Sequence, residues 1–483
     1  MNFKNIFIVA SIITAIGVTG CNPINNNINR GIDNNRTKNN INSDINNNST
    51  NNSDTNNNTN NSDTNNSTNN DTNNSNGKPV ITPLPTGVTI TTPTLTATLV
   101  STKNTTYGID VDGNIPPSGL VVKVPYHADR DVALNDFTSS TVTIDASKTN
   151  DNSSEASLVL QWSDVNLSKG DGYFNAKIVP ASTSGAYHAK QLGLNASGYT
   201  SATFLYLTDE HSSIGKLKLK VIPGIPDRNF NVLTNDKYEH QFVYMPITTA
   251  TGRIWLNNNL GAEYADLNNP NGNFNPKQQA TSSTDYKAYG SMFQWGRKAD
   301  GHELISWRSS TAGTPKYGTT HAPSGNPSNP AFIIALHYPN NWRVRPLVYE
   351  TPEGKYPSQV VYDTLWASES NPNNVCPAGY RVPLDPNGAT DSDNEFSVEA
   401  NSWSSKDGSG ALSSKLRLSM AGFRWFNGRF WYITKYGTYW NGNYSTIHDV
   451  LGDSRMMYFT MNSINLLDNT KRAVAMSVRC IKD

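Results

Sequence analysis

The sequence predicts an all-β sandwich followed by a second compact, aromatic-rich domain, both set behind a structureless stalk. Three observations lead there. Residues 22–76 are almost wholly Asn, Ser, Thr and Asp. Residues 78–223 hold short Thr- and Val-rich runs punctuated by Pro and Gly. Nine of the ten tryptophans then fall beyond Asn229, Trp162 being the exception.

The chain opens on a Lys4-bearing start and an apolar run, residues 6–16, that ends at Val18-Thr19-Gly20-Cys21. The run is too short to cross a bilayer and ends in small residues, so residues 1–20 read as a secretory signal peptide. Val-Thr-Gly-Cys resembles the bacterial lipobox. The resemblance implies cleavage before Cys21, acylation of its thiol and new amine, and anchorage of the protein in the lipid bilayer. An ordinary signal peptide with a chance cysteine is the alternative. Asn22, rather than Asp, after Cys21 resembles outer-membrane sorting in Gram-negative bacteria, which points to the outer membrane or cell surface.

Residues 21–77 form the stalk. With hardly an apolar side chain, they cannot bury enough surface to offset chain entropy, and they are expected to be disordered. As a flexible linker the tract has a coil dimension of about 40 Å. The whole chain has 39 basic and 39 acidic side chains. That balance leaves no electrostatic footprint for nucleic acid. No second long apolar stretch follows Cys21.

Within residues 78–223, strands are expected at Val88-Thr89-Ile90, Leu120-Val121-Val122-Lys123-Val124, Thr141-Val142-Thr143-Ile144, Ser157-Leu158-Val159-Leu160-Gln161-Trp162 and Leu217-Lys218-Leu219-Lys220-Val221. The last alternates strictly, which implies one wet and one buried face. Short, regularly spaced strands with turn signals and no helical period suggest an antiparallel sandwich. Its expected job is spacing; a ligand-binding sandwich is the alternative.

Residues 224–483 present six motifs in order. Gly252-Arg253-Ile254-Trp255-Leu256-Asn257-Asn258-Asn259-Leu260-Gly261-Ala262 comes first, then Tyr289-Gly290-Ser291-Met292-Phe293-Gln294-Trp295-Gly296-Arg297. Cys376-Pro377-Ala378-Gly379-Tyr380-Arg381-Val382-Pro383, Ala421-Gly422-Phe423-Arg424, Gly437-Thr438-Tyr439-Trp440 and Ser477-Val478-Arg479-Cys480 follow. This set resembles the Fibrobacter succinogenes major paralogous domain family. That family is similar in fold to the C-type-lectin-like superfamily, which includes the formylglycine-generating type enzymes. The resemblance implies an α+β, C-type-lectin-like terminal domain with a helix after Pro383. Leu384 and a Gly/Asp-rich stretch depart from the family pattern there, and residues 307–350 look like an insertion.

Asn427-Gly428 is a strong hairpin signal. A two-residue loop would pair Phe426 with Arg429, Trp425 with Phe430, Arg424 with Trp431, and Phe423 with Tyr432. Phe423, Trp425, Phe430 and Tyr432 would then share a core face. Arg424, Phe426, Arg429 and Trp431 would share an outer one.

Several candidate sites follow from residue type. Trp431, Tyr436, Tyr439, Trp440, Asn441, Asn443 and Tyr444 suit stacking on sugar rings and holding hydroxyls. The competing reading is that they fill the core. Asp391, Asp393 and Glu395 alternate like oxygen ligands for calcium, but the Gly and closing Glu of a calcium loop are missing, so a solvated acidic loop fits better and no metal is assigned. His302-Glu303-Leu304-Ile305-Ser306 has Ser306 where a zinc helix needs its second His. Cys376 and Cys480 remain after Cys21, and in an exported protein an isolated pair commonly bonds. Both stand in the family motifs, and a disulfide would keep both thiols from catalysis. No catalytic constellation and no cofactor fingerprint is visible. The expectation is therefore a lipid-anchored, non-enzymatic recognition protein for a glycan or another surface macromolecule. The alternatives are a structural envelope protein without a ligand, and an enzyme related to the formylglycine-generating type.

The anchor is directly testable. Cys21→Ala should abolish labelling by a fatty-acid analogue and leave the protein unprocessed or released; undiminished labelling of the variant would rule the anchor out.

Overall fold

Alternation along the strands builds the first layer pair. In the computed structural model, β1 is Val88–Ile90, β2 Thr94–Val100, β3 Leu120–Ala128, β4 Phe137–Thr138, β5 Val142–Ile144, β6 Ala156–Trp162, β7 Gly170–Pro180, β8 Tyr199–Leu207 and β9 Ile214–Ile222. The structure describes residues 83–483 apart from 151, 153, 183–184, 235–236, 270–271, 322–328, 337–339, 343–363, 386–393 and 445–452. The expected signal peptide, Cys21 and all but the last residues before the first strand lie outside the described residues.

One sheet runs β1-β3-β7-β6-β4, with β5 also pairing β6; the other runs β8-β9-β2. Val122, Val124, Leu158, Leu160, Phe174 and Ile178 of the first sheet share a core with Leu99, Phe204, Leu217, Leu219 and Val221 of the second. Period-2 alternation sends these side chains inward and their neighbours out. The β9–β2 pair is parallel, so the sandwich is not purely antiparallel.

The terminal region departs from expectation. Two helices, α1 (Glu395–Asn401) and α2 (Gly408–Ser413), are its only α-helices among the described residues, each two turns or less. The described residues are otherwise mostly strand and loop, so the α+β, C-type-lectin-like assignment is overturned and the protein is all-β in character. The physical reason is visible in the composition. Asn, Gly, Ser and aromatic residues favour caps, turns and strands over helix interiors. A helix does follow Pro383: α1 is capped by Asn394, whose side chain accepts from the Ser397 N–H. Neither helix is long and apolar enough to cross a membrane.

Three small sheets frame this region. Pro246–Thr248, Ile254–Leu256, Ile481–Lys482 and Tyr380–Arg381 form the first; Phe293–Gln294, Ala475–Met476, Phe423–Arg424 and Phe430–Trp431 form the second. Gly437–Tyr444, Asp453–Thr460 and Ser463–Lys471 form a meander. The helices pack Phe396, Ala400 and Ala411 against Trp255, Tyr439, Met457 and Phe459.

The 427–428 hairpin also differs from expectation, by one residue. Phe423 faces Trp431 and Arg424 faces Phe430. The Gly428 N–H donates to the Trp425 carbonyl at 2.7 Å, and only Gly428 of the Asn-Gly pair takes positive φ, +83°. That is a turn closed by a glycine bulge, a three-residue loop rather than a two-residue one. A one-residue slip exchanges faces. Arg424, expected outside, is therefore buried over the Phe332 ring at 4.1 Å, and Phe430, expected in the core, is only half-buried.

Cys376 and Cys480 form a disulfide with a Cα separation of 5.9 Å across 104 residues of sequence. A loop of that length contributes about 4–5 kcal/mol in the chain-entropy model. Next to it, Arg479 is fully buried without a carboxylate partner among the described residues. Its Nε and Nη2 donate to Asn259 Oδ1 at 3.0 and 2.8 Å, and Nη1 donates to the Asn257 and Leu416 carbonyls at 3.0 and 2.7 Å. Burial pushes the guanidinium pKa down to about 10, against the attraction of Tyr439.

The planar fork is what matches this cage of oxygens, and an ammonium cannot span it. Arg479→Lys should lower the unfolding free energy by about 2–4 kcal/mol through orphaned buried acceptors. Urea denaturation of the oxidised protein checks this, and a change under about 0.5 kcal/mol would contradict it.

Candidate functional site

The aromatic segment 431–444 does not form an open cleft. Tyr439, Trp440 and Asn441 are fully buried. Trp440 donates its indole N–H to the Phe293 carbonyl at 2.7 Å, and the Tyr439 ring stacks on Phe459. The strand Gly437–Tyr444 is covered on both faces, with Tyr439 toward the helices and Trp440 toward Phe293. Aromatics of either parity thus become core. Trp431 and Tyr436 are half-buried, and Tyr436 packs edge-on against Tyr432. Asn443 accepts from the Asp385 N–H at 2.6 Å. The side chain of Tyr444, and Asp391 and Asp393 of the acidic loop, lie outside the described residues. Glu395 is bound to Arg381, at 2.7 Å from Nη1 and 3.0 Å from Nη2, and is committed to structure.

A polar cleft of about 340 Å³ opens elsewhere, lined by Glu239, Glu263, Asp266, Trp307, Arg308 and Lys316 among others. That volume is in the range of small-ligand sites. Trp307 ends the strand Ile305–Trp307, which pairs with Gly313–Pro315. Its indole N–H donates to the Gly290 carbonyl at 2.8 Å, and the Tyr289 ring meets it edge-on at 5.0 Å, so the half-buried ring is fixed. Gly261, on the cleft wall, has φ +74°, and a Cβ there would stand 2.0 Å from Ser291 Oγ; only glycine fits.

The three carboxylates differ in their partners. Glu263 accepts from the Asn273 amide at 3.0 Å. Asp266 accepts from the Asn268 N–H at 2.8 Å, and burial raises its pKa. Glu239 is buried. Its Oε1 accepts from the Tyr317 hydroxyl and lies 3.1 Å from Lys316 Nζ, while its Oε2 has no hydrogen-bond partner among the described residues. The cleft thus combines a fixed aromatic face, acceptors at several depths and two cations at or near the rim. It offers no activated nucleophile.

Behind Glu239 lies a buried charge network. His240 Nδ1 is 3.3 Å from Asp227, and its Nε2 is 3.0 Å from Glu303. His302 Nδ1 is 2.7 Å from Asp300 and 3.1 Å from Glu303, and its Nε2 accepts from the Gln294 N–H at 3.0 Å. Arg297 Nε donates to Asp300 at 2.9 Å. Asp300, His302 and Glu303 bring their ligand atoms close together, as a metal site would. Here both ring nitrogens of His302 are already engaged, and the Arg297 cation sits on the same carboxylate. Hydrogen bonding of the His302 Nδ1–H to the two carboxylates is enough to account for the closeness. The His302-Glu303 run sits in a turn, not on a zinc-binding helix.

No local sequence pattern marks Glu239 or Asp266, and Trp307 stands at the start of residues 307–350, which look like an insertion. The alternation Ile305-Ser306-Trp307 was the available signal for a strand ending at an accessible Trp.

Comparison with known proteins finds no matching family model, no matching curated protein and no matching solved structure.

The network sets a pH dependence. Burial alone would lower the His240 pKa, but Asp227 and Glu303 outweigh it and push it up to about 10. Its stabilisation is complete below about pH 6.5 and is lost as pH rises toward 10. Burial alone would raise the Glu303 pKa, but His240 and His302 outweigh it and hold it well below the carboxylate range. That stabilisation is complete above about pH 4.5 and fades as pH falls. Denaturant midpoints should therefore plateau between about pH 4.5 and 6.5 and decline on the alkaline side. His240→Gln should flatten the alkaline limb; an unchanged limb would show that His240 is not the group responsible.

Proposed function

We propose that this chain is a lipid-anchored surface protein whose folded part recognises a glycan, without catalysis, through the Trp307 cleft. The anchor reading rests on the lipobox-like Val18-Thr19-Gly20-Cys21 and the polar stalk that follows. The recognition reading rests on one observation above the rest: Glu239 is buried in the cleft wall with Oε2 lacking a donor. A sugar hydroxyl would supply that donor. The Trp307 face suits the apolar side of a sugar ring, and Arg308 and Lys316 can donate to hydroxyl or carbonyl oxygens. Mixed donors and acceptors around one aromatic face suit a polyhydroxylated ligand better than a purely ionic one.

A glycan array probed with the full chain in detergent tests this. Binding should be lost in Trp307→Ala and weakened at least tenfold in Arg308→Ala, which sits on the exposed rim and leaves the packing intact. If no glycan binds, or if both variants bind like wild type, the recognition reading falls and a purely structural envelope role takes its place.

A further inference from the structure

The outer face of the smaller sandwich sheet holds a second feature, far simpler than the cleft. On β9, Lys216, Lys218 and Lys220 all point to solvent while Leu217, Leu219 and Val221 point to the core. Residues two apart on a strand are about 6.7 Å apart, so three ammonium groups stand in a straight row. The strands on either side add no charge to it. Across β2 the register partners are Thr94, Thr96 and Thr98; across β8 they are Leu205, Thr203 and Thr200. None of the three lysines is in an ion pair among the described residues. At the Lys220 end, Lys148 donates from Nζ to the Thr200 carbonyl at 3.3 Å, which brings a fourth ammonium to the sheet margin.

Lysines often protect an edge strand from pairing with another chain. That explanation does not apply, because β9 is the middle strand of its sheet. Nor does bulk charge explain the row, since the chain carries equal numbers of acidic and basic side chains. Like charges at this spacing repel one another, and an anionic partner would relieve the repulsion. The charge is arranged in one dimension, with neutral side chains on both flanks, all threonine but Leu205. A line of anions fits it better than the two-dimensional charge of a membrane. Threonine hydroxyls along both sides suit sugar hydroxyls.

We propose that the Lys216–Lys218–Lys220 row binds a linear anionic polysaccharide carrying uronate carboxylates, laid along β9. The site is separate from the Trp307 cleft and does not depend on the reading of that cleft. Polygalacturonate is the probe, titrated against the full chain in detergent at several salt concentrations. Wild type should bind, with affinity falling steeply as salt rises. The triple variant Lys216→Gln, Lys218→Gln, Lys220→Gln should raise Kd at least tenfold while keeping its melting temperature, since the side chains are exposed and unpaired. The triple variant Lys103→Gln, Lys169→Gln, Lys177→Gln removes the same charge from exposed positions off the row and should bind like wild type. Trp307→Ala should also bind like wild type, which separates this site from the cleft. No binding, equal loss in both triple variants, or stronger binding to polyphosphate or to anionic vesicles than to polygalacturonate would each overturn the proposal.

Discussion

A guanidinium with no carboxylate partner among the described residues holds the terminal region together. Arg479 is fully buried, and burying a charge is costly unless every donor is matched. The matching oxygens come from two separate stretches: Leu256, at 3.4 Å, with Asn257 and Asn259 near the start of the region, and Leu416 just after the helices. None can be supplied unless those stretches close on one another. Asn259 then passes the constraint on, donating its amide to the Tyr289 carbonyl at 3.1 Å. Tyr439 continues it, accepting from the Ser419 N–H and donating to the Ser419 carbonyl, each at 2.9 Å. The disulfide one residue along, at Cys480, limits how far the unfolded chain can part the same segments. A covalent tie and a polar cage thus act on one strand end by different physics, one on the unfolded ensemble and one on the folded core.

This geometry explains why the ordered motifs of the terminal region are poor guides to a binding site. Their residues, Asn259, Tyr289, Gln294, Arg297, Tyr439, Trp440 and Arg479, are buried and bonded to one another's backbones. Gln294, for instance, donates to the Ile333 and Ala473 carbonyls at 2.9 and 2.8 Å. Such residues specify a loop-rich core that regular secondary structure cannot satisfy. With so few helix or sheet ladders, side-chain amides and guanidinium groups must take up the backbone carbonyls. A domain built this way can be dense in Trp, Tyr and Asn without exposing them.

What was legible in the sequence follows the same division. The sandwich strands were readable because alternation is a local signal, as in Ile214–Ile222, where every second residue is buried. The disulfide was readable because few cysteines exist. The hairpin register was missed by one residue because Asn-Gly permits both a two-residue turn and a bulged three-residue one, and Arg424 settles the matter only through its contact with Phe332, far away in sequence. The α+β assignment failed because it came from likeness to a family rather than from a 3.6-residue period. The charge network was illegible for a related reason. Asp227, His240 and Glu303 meet only after folding, and no local pattern marks them.

The buried carboxylates of the terminal region give the sharpest contrast with the cleft. Glu399 accepts from Thr249 at 2.9 Å and from the Trp255 indole at 3.0 Å. Glu395 takes two Arg381 nitrogens and the Leu384 N–H. Glu303 takes the Gly301 N–H at 3.0 Å and lies against two histidines. In each, the core supplies several donors, as low dielectric demands. Glu239 is as buried as these; both of its donors converge on Oε1, as those of Glu399 do, and its Oε2 has none among the described residues. Other buried carboxylate oxygens also lack a hydrogen bond, Glu303 Oε1 among them, but Glu303 Oε1 lies against His240, whereas Glu239 Oε2 belongs to a residue lining a cleft beside a fixed tryptophan. Unsatisfied buried acceptors cost about 1–3 kcal/mol each. A bound hydroxyl would recover that cost only in the complex, so the open oxygen favours the bound state over the free one.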